Sequence, residues 1–194
     1  MKFRPLLYLL PLLFITSAHA QWQLEKEQSE FYFTFIKASS VGTVGRFESF
    51  DAQVSKEDGK ASLTIDLASL NTDIEKRDNR LRDVFFNVTE NPTANVEIHL
   101  GQNIFQRLSV GHSENERVSA KVTLNGKTRR LRENVSVTML DQNTILVTNT
   151  KPVLLNVEDF GLLSGIKALI DLAGVKSIST SVPITFKLLF KKNQ

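Results

Sequence analysis

His99 and His112 are the only histidines beyond residue 20, so a general base or a zinc ligand would be sought there first. His99 alternates onto the polar face of a strand pattern, and His112 sits in the polar stretch Gly111 to Arg117. Neither lies in a pattern with a hydroxyl or carboxylate partner. A catalytic triad needs nucleophile, base and orienting group to converge, and a zinc site would need at least a third ligand from Asp or Glu. There is no GxSxG, HExxH, phosphate-loop or dinucleotide fingerprint. There is also no cysteine, which removes disulfides, thiolate nucleophiles and thiolate metal sites. No catalytic residue, metal ligand or cofactor is assigned. An esterase-like or isomerase-like enzyme remains as an alternative that lacks a nucleophile or base.

The other charged constellation is Arg77-Asp78 with Arg80 and Arg82, which could receive a phosphate or pyrophosphate group. The same residues fit a helix held by i, i+4 pairs, Asp73 to Arg77 and Asp78 to Arg82, and this structural reading is preferred. Thr72 and Glu75 have capping-box spacing, and Ile74, Leu81, Val84 and Phe85 recur on one face. Leu70 to Asn87 is thus a short helix in a chain that otherwise alternates with period two.

The elements around it are strands. Phe31, Phe33 and Phe35 share one face; Phe47, Ala52 and Val54 mark a second strand, with Phe50 out of phase as at a bulge. Leu63, Ile65 and Leu67 form a third, Ala94, Val96, Ile98 and Leu100 a fourth, and Ile104 to Val110 a fifth. Val118, Ala120, Val122 and Leu124 run into Asn125-Gly126, a hairpin signal whose return is Lys127 to Leu140. Ile145 to Thr150 and Val153 to Asn156 follow, then a second helix from Leu162 to Ala173 ending at Gly174. The last strand, expected to be the longest, puts Ile178, Val182, Ile184, Phe186, Leu188 and Phe190 on one face, with Pro183 marking a bulge or unpaired edge.

Antiparallel strands with one apolar face each must close on themselves or stack. The long strands and few helices favour an all-β fold, an eight-stranded antiparallel barrel with two short helices. Such a barrel is just wide enough to be filled by side chains or to hold one small ligand. Eleven of the 13 phenylalanines lie beyond residue 20, against one Tyr and one Trp, so the interior asks for few hydrogen bonds. Periodicity does not separate a filled barrel from a hollow one. Asp159-Phe160-Gly161 and the helix after it read either as a lid at a barrel mouth or as an ordinary packed helix.

Residues 1–20 have a charged start at Lys2 and Arg4, an apolar run from Leu6 to Ile15 and an Ala18-His19-Ala20 cleavage pattern, the marks of a removable export leader. The expected domains are this signal peptide, 1–20, and one barrel domain, 21–194. Without the leader the net charge falls from +3 to +1, which argues against a nucleic-acid partner. The apolar run Gly161 to Ala173 is broken by Ser164, Lys167 and Asp171, so no permanent membrane span is expected.

Trp22, Ser29-x-Phe31, Gly45-Arg46-Phe47-x-x-Phe50, Leu70-x-Thr72, Arg77-Asp78-x-x-Leu81-Arg82, Phe85-Phe86-Asn87, Pro92, Leu124-Asn125-Gly126-x-Thr128 and Asp159-Phe160-Gly161 occur in an order that resembles the YceI-like proteins. The resemblance spans nearly all of the chain after the leader. It implies an extended lipocalin-like barrel, usually periplasmic, that holds an isoprenoid lipid such as a polyprenyl phosphate or a quinone. It implies a binding protein rather than an enzyme. The expected lumen is lined by Phe31, Phe33, Phe35, Phe47, Ile65, Val96, Ile98, Val122, Phe160, Ile166, Ile184 and Phe186, with Lys37, Arg46 or Arg77 meeting the headgroup. Family members commonly carry a His near the end of the first long strand, where this chain has Lys37, and its helix after Gly161 is longer than usual. A ligand-free filled barrel with a structural or stress-related interaction role is the alternative, and homodimerisation is left open.

Overall fold

The computed structural model describes residues 21–55, 59–101 and 104–193; the expected leader, 1–20, lies outside them. The chain opens with β1 (Gln21–Leu24), β2 (Glu30–Lys37), β3 (Val41–Phe47), β4 (Phe50–Ser55), β5 (Lys60–Asp66) and the two-residue β6 (Leu70–Asn71). Helix α1 (Glu75–Arg80) continues directly into a π-helical turn, Leu81–Phe86. Then come β7 (Thr93–His99), α2 (Ile104–Arg107), β8 (Ser113–Leu124), β9 (Lys127–Asp141), β10 (Thr144–Asn149), β11 (Val153–Asn156), α3 (Leu163–Ala173) and β12 (Ser181–Lys192).

Eight strands close into an antiparallel barrel in the order β1-β4-β5-β7-β8-β9-β10-β12, and β12 returns to β1 through Trp22↔Lys192, Gln23↔Lys191 and Leu24↔Phe190. β12 is long enough to serve two pairs of neighbours. Its second half lies between β1 and β10; its first half lies between β2 (Ile184↔Phe33, Phe186↔Phe31) and β11 (Val153↔Ile184, Asn156↔Ser181). The β2–β3 hairpin therefore extends the barrel at one end, where β3 meets only β6, at Arg46↔Asn71 and Phe47↔Leu70. Helix α3 packs on the π-helical turn at this same end and, as expected, stops at left-handed Gly174.

Several local expectations are corrected. Phe50 is no bulge: it starts β4 after a turn at Glu48-Ser49, which resets the phase. The segment read as a strand from Ile104 begins as helix α2, a third short helix, because Ile104 and Leu108 are both buried at i, i+4 spacing and joined by a backbone bond of 3.1 Å. The longest strand is β9, with 15 residues, rather than β12, with 12. The capping box does not form, since Ile74 occupies the N-cap position without a side-chain bond. Thr72 instead turns its N–H (3.0 Å) and hydroxyl to buried Asp78. Neither expected ion pair along the helix exists. Asp73 binds Arg46, and Arg82 donates to the carbonyl of Leu70 and to Asn79. Val84 is exposed and Ile74, also exposed, reaches only the rim of the interior, so Leu81 and Phe85 carry the inward part of the expected apolar face. Pro183 pairs with Leu154 of β11, and pairing with β2 begins one residue later, so its missing N–H falls on the free edge.

Trp22 closes the ring, 3% exposed, with an indole N–H that finds no hydrogen-bond partner among the described residues. Trp22→Phe would remove a buried unpaired donor, worth about 1–3 kcal/mol, while losing a comparable amount of packing. The two offset, and urea unfolding should show a change within about 1 kcal/mol, against the ~3–5 kcal/mol of an ordinary Trp truncation.

At the β9–β10 turn the Asn143 N–H donates to Asp141 Oδ1 at 2.7 Å. This bond first, then one with Thr144, holds the Asp141 carboxyl below its ordinary range. The ionised form therefore favours the folded turn. Its contribution is complete above the unfolded value near ~3.9 and is lost as pH falls through the lower folded value. Protection of the Asn143 amide, taken relative to its intrinsic exchange rate at each pH, should fall only under acid, and Asp141→Asn should abolish that dependence.

Candidate functional site

The barrel is hollow. A continuous cavity of about 510 Å³ runs through it, within the range of small-molecule sites. Its walls are the inward halves of the alternating strands. Phe31, Phe33 and Phe35 of β2 face it beside Phe47 of β3, with Phe33 and Phe47 rings 5.1 Å apart. Ile65 of β5, Val96 and Ile98 of β7 and Val122 of β8 continue the wall through the registers Leu63↔Val96↔Val122. Ile184 and Phe186 come from β12, and Ile166 from α3. Phe35, Val96, Ile98, Ile184 and Phe186 face inward yet are not fully buried, as expected of side chains bordering unfilled space.

Two expected site residues stand elsewhere. Phe160 does not line the cavity: it is 1% exposed, packed under the left-handed Gly161 turn, where its carbonyl accepts from the Asn125 amide at 3.0 Å. Arg46 is also outside. It pairs with Asp73 at 2.9 Å and Glu48 at 3.1 Å, and the Asp73 contact chiefly raises its pKa above the ordinary value. The reason is the strand period, which puts Arg46, opposite Tyr32, on the outer face while the next residue, Phe47, points in toward the Phe31 ring.

Gly45 shows how tightly the wall is set. A Cβ there would lie 2.3 Å from Phe33 Cζ, so the ring rests on bare backbone across the hairpin. Any larger residue would drive Phe33 into the lumen.

The mouth is marked by cavity-lining residues that also meet solvent, among them Ile74, Lys76 and Ala173. Lys37 at the end of β2 and Lys76, Arg77 and Arg80 of α1 all reach the cavity. Arg77 is held in place. Its Nε donates to Thr72 Oγ1 at 2.7 Å, its terminal nitrogen donates to the Thr72 carbonyl, and its guanidinium lies 5.7 Å over the Phe35 ring. Among the described residues no carboxylate lies within ion-pair distance of these four cations. The one acid lining the cavity is Glu133 on β9. The arrangement is thus an apolar tunnel with uncompensated positive charge at its entrance.

Sequence reasoning missed Lys76, although i, i+4 spacing places it beside Arg80, and it set aside Arg80, named with Arg77 as a possible anion site, in favour of helix pairing. It also missed Phe85 and Phe86, whose rings meet edge to face at 4.7 Å and border the cavity beneath α3. Phe105 was hidden because its segment read as a strand. His99 and His112 are exposed and outside the cavity, and His112 Nδ1 contacts only the Val110 carbonyl. Among the described residues no group of three or more His, Cys, Asp or Glu could hold a metal ion, and no helix is long and apolar enough to cross a membrane.

A family model described as a YceI-like domain matches residues 22–190. Among curated proteins none matches the chain. Among solved structures, the chain is similar to a polyisoprenoid binding domain from Saccharophagus degradans implicated in plant cell wall breakdown, with 31% identity and a TM-score of 0.85 over 89% of this chain and 98% of that one. BcnA of Burkholderia cenocepacia matches with 20% identity and a TM-score of 0.68 over 86% and 98%. A Campylobacter jejuni YCEI protein matches with 15% identity and a TM-score of 0.55 over 77% and 84%. The last two show the shared fold.

Proposed function

Because the chain belongs to the YceI-like domain family, we propose that it is a periplasmic carrier that holds the tail of an isoprenoid lipid in its lumen and an anionic head at its mouth. The observation that carries this reading is the continuous apolar cavity opening at Lys37, Lys76, Arg77 and Arg80. The solved relative described as a polyisoprenoid binding domain supports the class of ligand. The leader pattern at residues 1–20 supports the compartment.

The energetics suit such a ligand. Burying a hydrocarbon chain yields about 0.8 kcal/mol per CH₂, so a few isoprene units exceed the ~8 kcal/mol of micromolar binding before association costs are met. The tail needs no directed polar contact, which matches phenylalanine and aliphatic walls. A neutral quinone would use the same tunnel, but it would leave four cations without a counter-charge. The mouth therefore favours a polyprenyl phosphate or pyrophosphate. The reading is one of binding and transport: among the described residues no nucleophile and base are in contact within the cavity.

Organic extraction of protein purified from its native compartment, followed by mass spectrometry, should yield a phosphorylated polyprenol. Recovery of quinone alone would remove the anionic head from the reading. Repeated recovery of no lipid, together with no binding of geranylgeranyl monophosphate, would overturn it.

A further inference from the structure

A carrier must meet the surface from which its lipid comes, and the tip of the β2–β3 hairpin is unusual beside that entrance. Ile36 is 37% exposed, Val41 47% and Val44 58%. Ile36 lies opposite Gly42 and Val44 opposite Thr34, so strand alternation puts Ile36 and Val44 together on the outer face at the tip. Val41, opposite Lys37, is exposed on the other face of the same tip, the side turned toward the mouth, and Ile74, 52% exposed at the start of α1, stands at the rim of the cavity.

Charge surrounds it asymmetrically. Among the described residues Lys37, Lys76, Arg77 and Arg80 have no carboxylate within ion-pair distance, whereas the nearby carboxylates Asp73 and Glu48 are both taken by Arg46, and Asp78 is buried against Thr72. Glu75 is the one acid of α1 left without a partner. Exposed aliphatic side chains beside cations without carboxylate partners fit the interface of an anionic bilayer, where apolar groups enter the headgroup boundary and basic groups meet lipid phosphates. A protein partner rich in acids would be attracted by the cations but offers no acyl layer for Ile36, Val41 and Val44.

We propose that the β2–β3 hairpin tip and the first turn of α1 dock the barrel, mouth first, on an anionic phospholipid surface. The proposal rests on the carrier reading but can fail without it. Docking uses residues outside the cavity, since Ile36, Val41 and Val44 do not line it.

The test is co-sedimentation of the whole protein with vesicles of phosphatidylcholine alone and of phosphatidylcholine with phosphatidylglycerol, in parallel with solution binding of geranylgeranyl monophosphate. Wild type should sediment with the anionic vesicles only, and less as salt rises. Ile36→Ser with Val44→Ser should weaken vesicle binding by about tenfold and leave solution binding of the probe unchanged. No sedimentation of wild type, or equal sedimentation with both vesicle types, would overturn docking while the probe measurement still reports on the carrier reading. Vesicle binding unaffected by the double substitution would overturn the assigned surface. Loss of probe and vesicle binding together would make the hairpin tip part of the ligand site and overturn a separate docking role.

Discussion

Ile184→Asp should lower affinity for a prenyl phosphate by at least ~100-fold, because the tail must strip water from a carboxylate in the middle of the tunnel. Ile184 sits between Phe33 of β2 and Val153 of β11 and faces the cavity. In the empty barrel that carboxylate keeps access to the lumen, so the fold tolerates it. With a tail in place it is enclosed by phenylalanine and aliphatic walls, and an effective desolvation penalty of several kcal/mol appears only in the complex. Thr185→Asp is the matched control, since Thr185 is exposed on the opposite face of the same strand. Calorimetric titration should find Thr185→Asp within about twofold of wild type. Equal, wild-type-like affinities for both variants would show that the tail does not occupy this lumen.

Asp78→Ala should destabilise the protein by about 3 kcal/mol, and Asp78→Asn by about 1 kcal/mol. Asp78 is 6% exposed and accepts both the N–H and the hydroxyl of Thr72 on one oxygen, Oδ1. Alanine strands the buried Thr72 N–H, while Asn keeps an oxygen in the same place and loses only the charge. Thr72 also positions Arg77, so the alanine variant should weaken headgroup binding as well. Urea unfolding measures the first effect and titration with inorganic pyrophosphate the second. Similar losses in both variants would mean that charge, not the acceptor, holds the turn.

Strand alternation made the barrel legible because a wall with one apolar face writes its period directly into the chain. The same period explains why the twelve lumen candidates came mostly from the correct face. Phe160 broke the rule because it lies in a turn, where neighbours in sequence say nothing about which way a ring packs. Arg46 was misplaced for a simpler reason: its headgroup role was inferred from charge, whereas its register with Tyr32 sends it outward. Hollowness was not legible at all. Phe33 rests the end of its ring against Gly45 instead of crossing the barrel, and nothing local distinguishes those two positions for the ring. The helix near residue 75 was readable in existence but not in its contacts, because Thr72 had two acids within reach, Glu75 and Asp78, and took the buried one.

The barrel's eight-stranded ring is tied by backbone ladders all the way round, but α1, the π-helical turn and α3 lie over its other end by side-chain packing. Gly165 lets them come close, with a would-be Cβ only 3.2 Å from the Phe85 backbone. Parting these helices breaks none of the ring's ladder bonds. For the carrier proposed above, admission of cargo by parting these helices would therefore be a separate event from loss of the fold, and residence time would not be tied to the lifetime of the barrel.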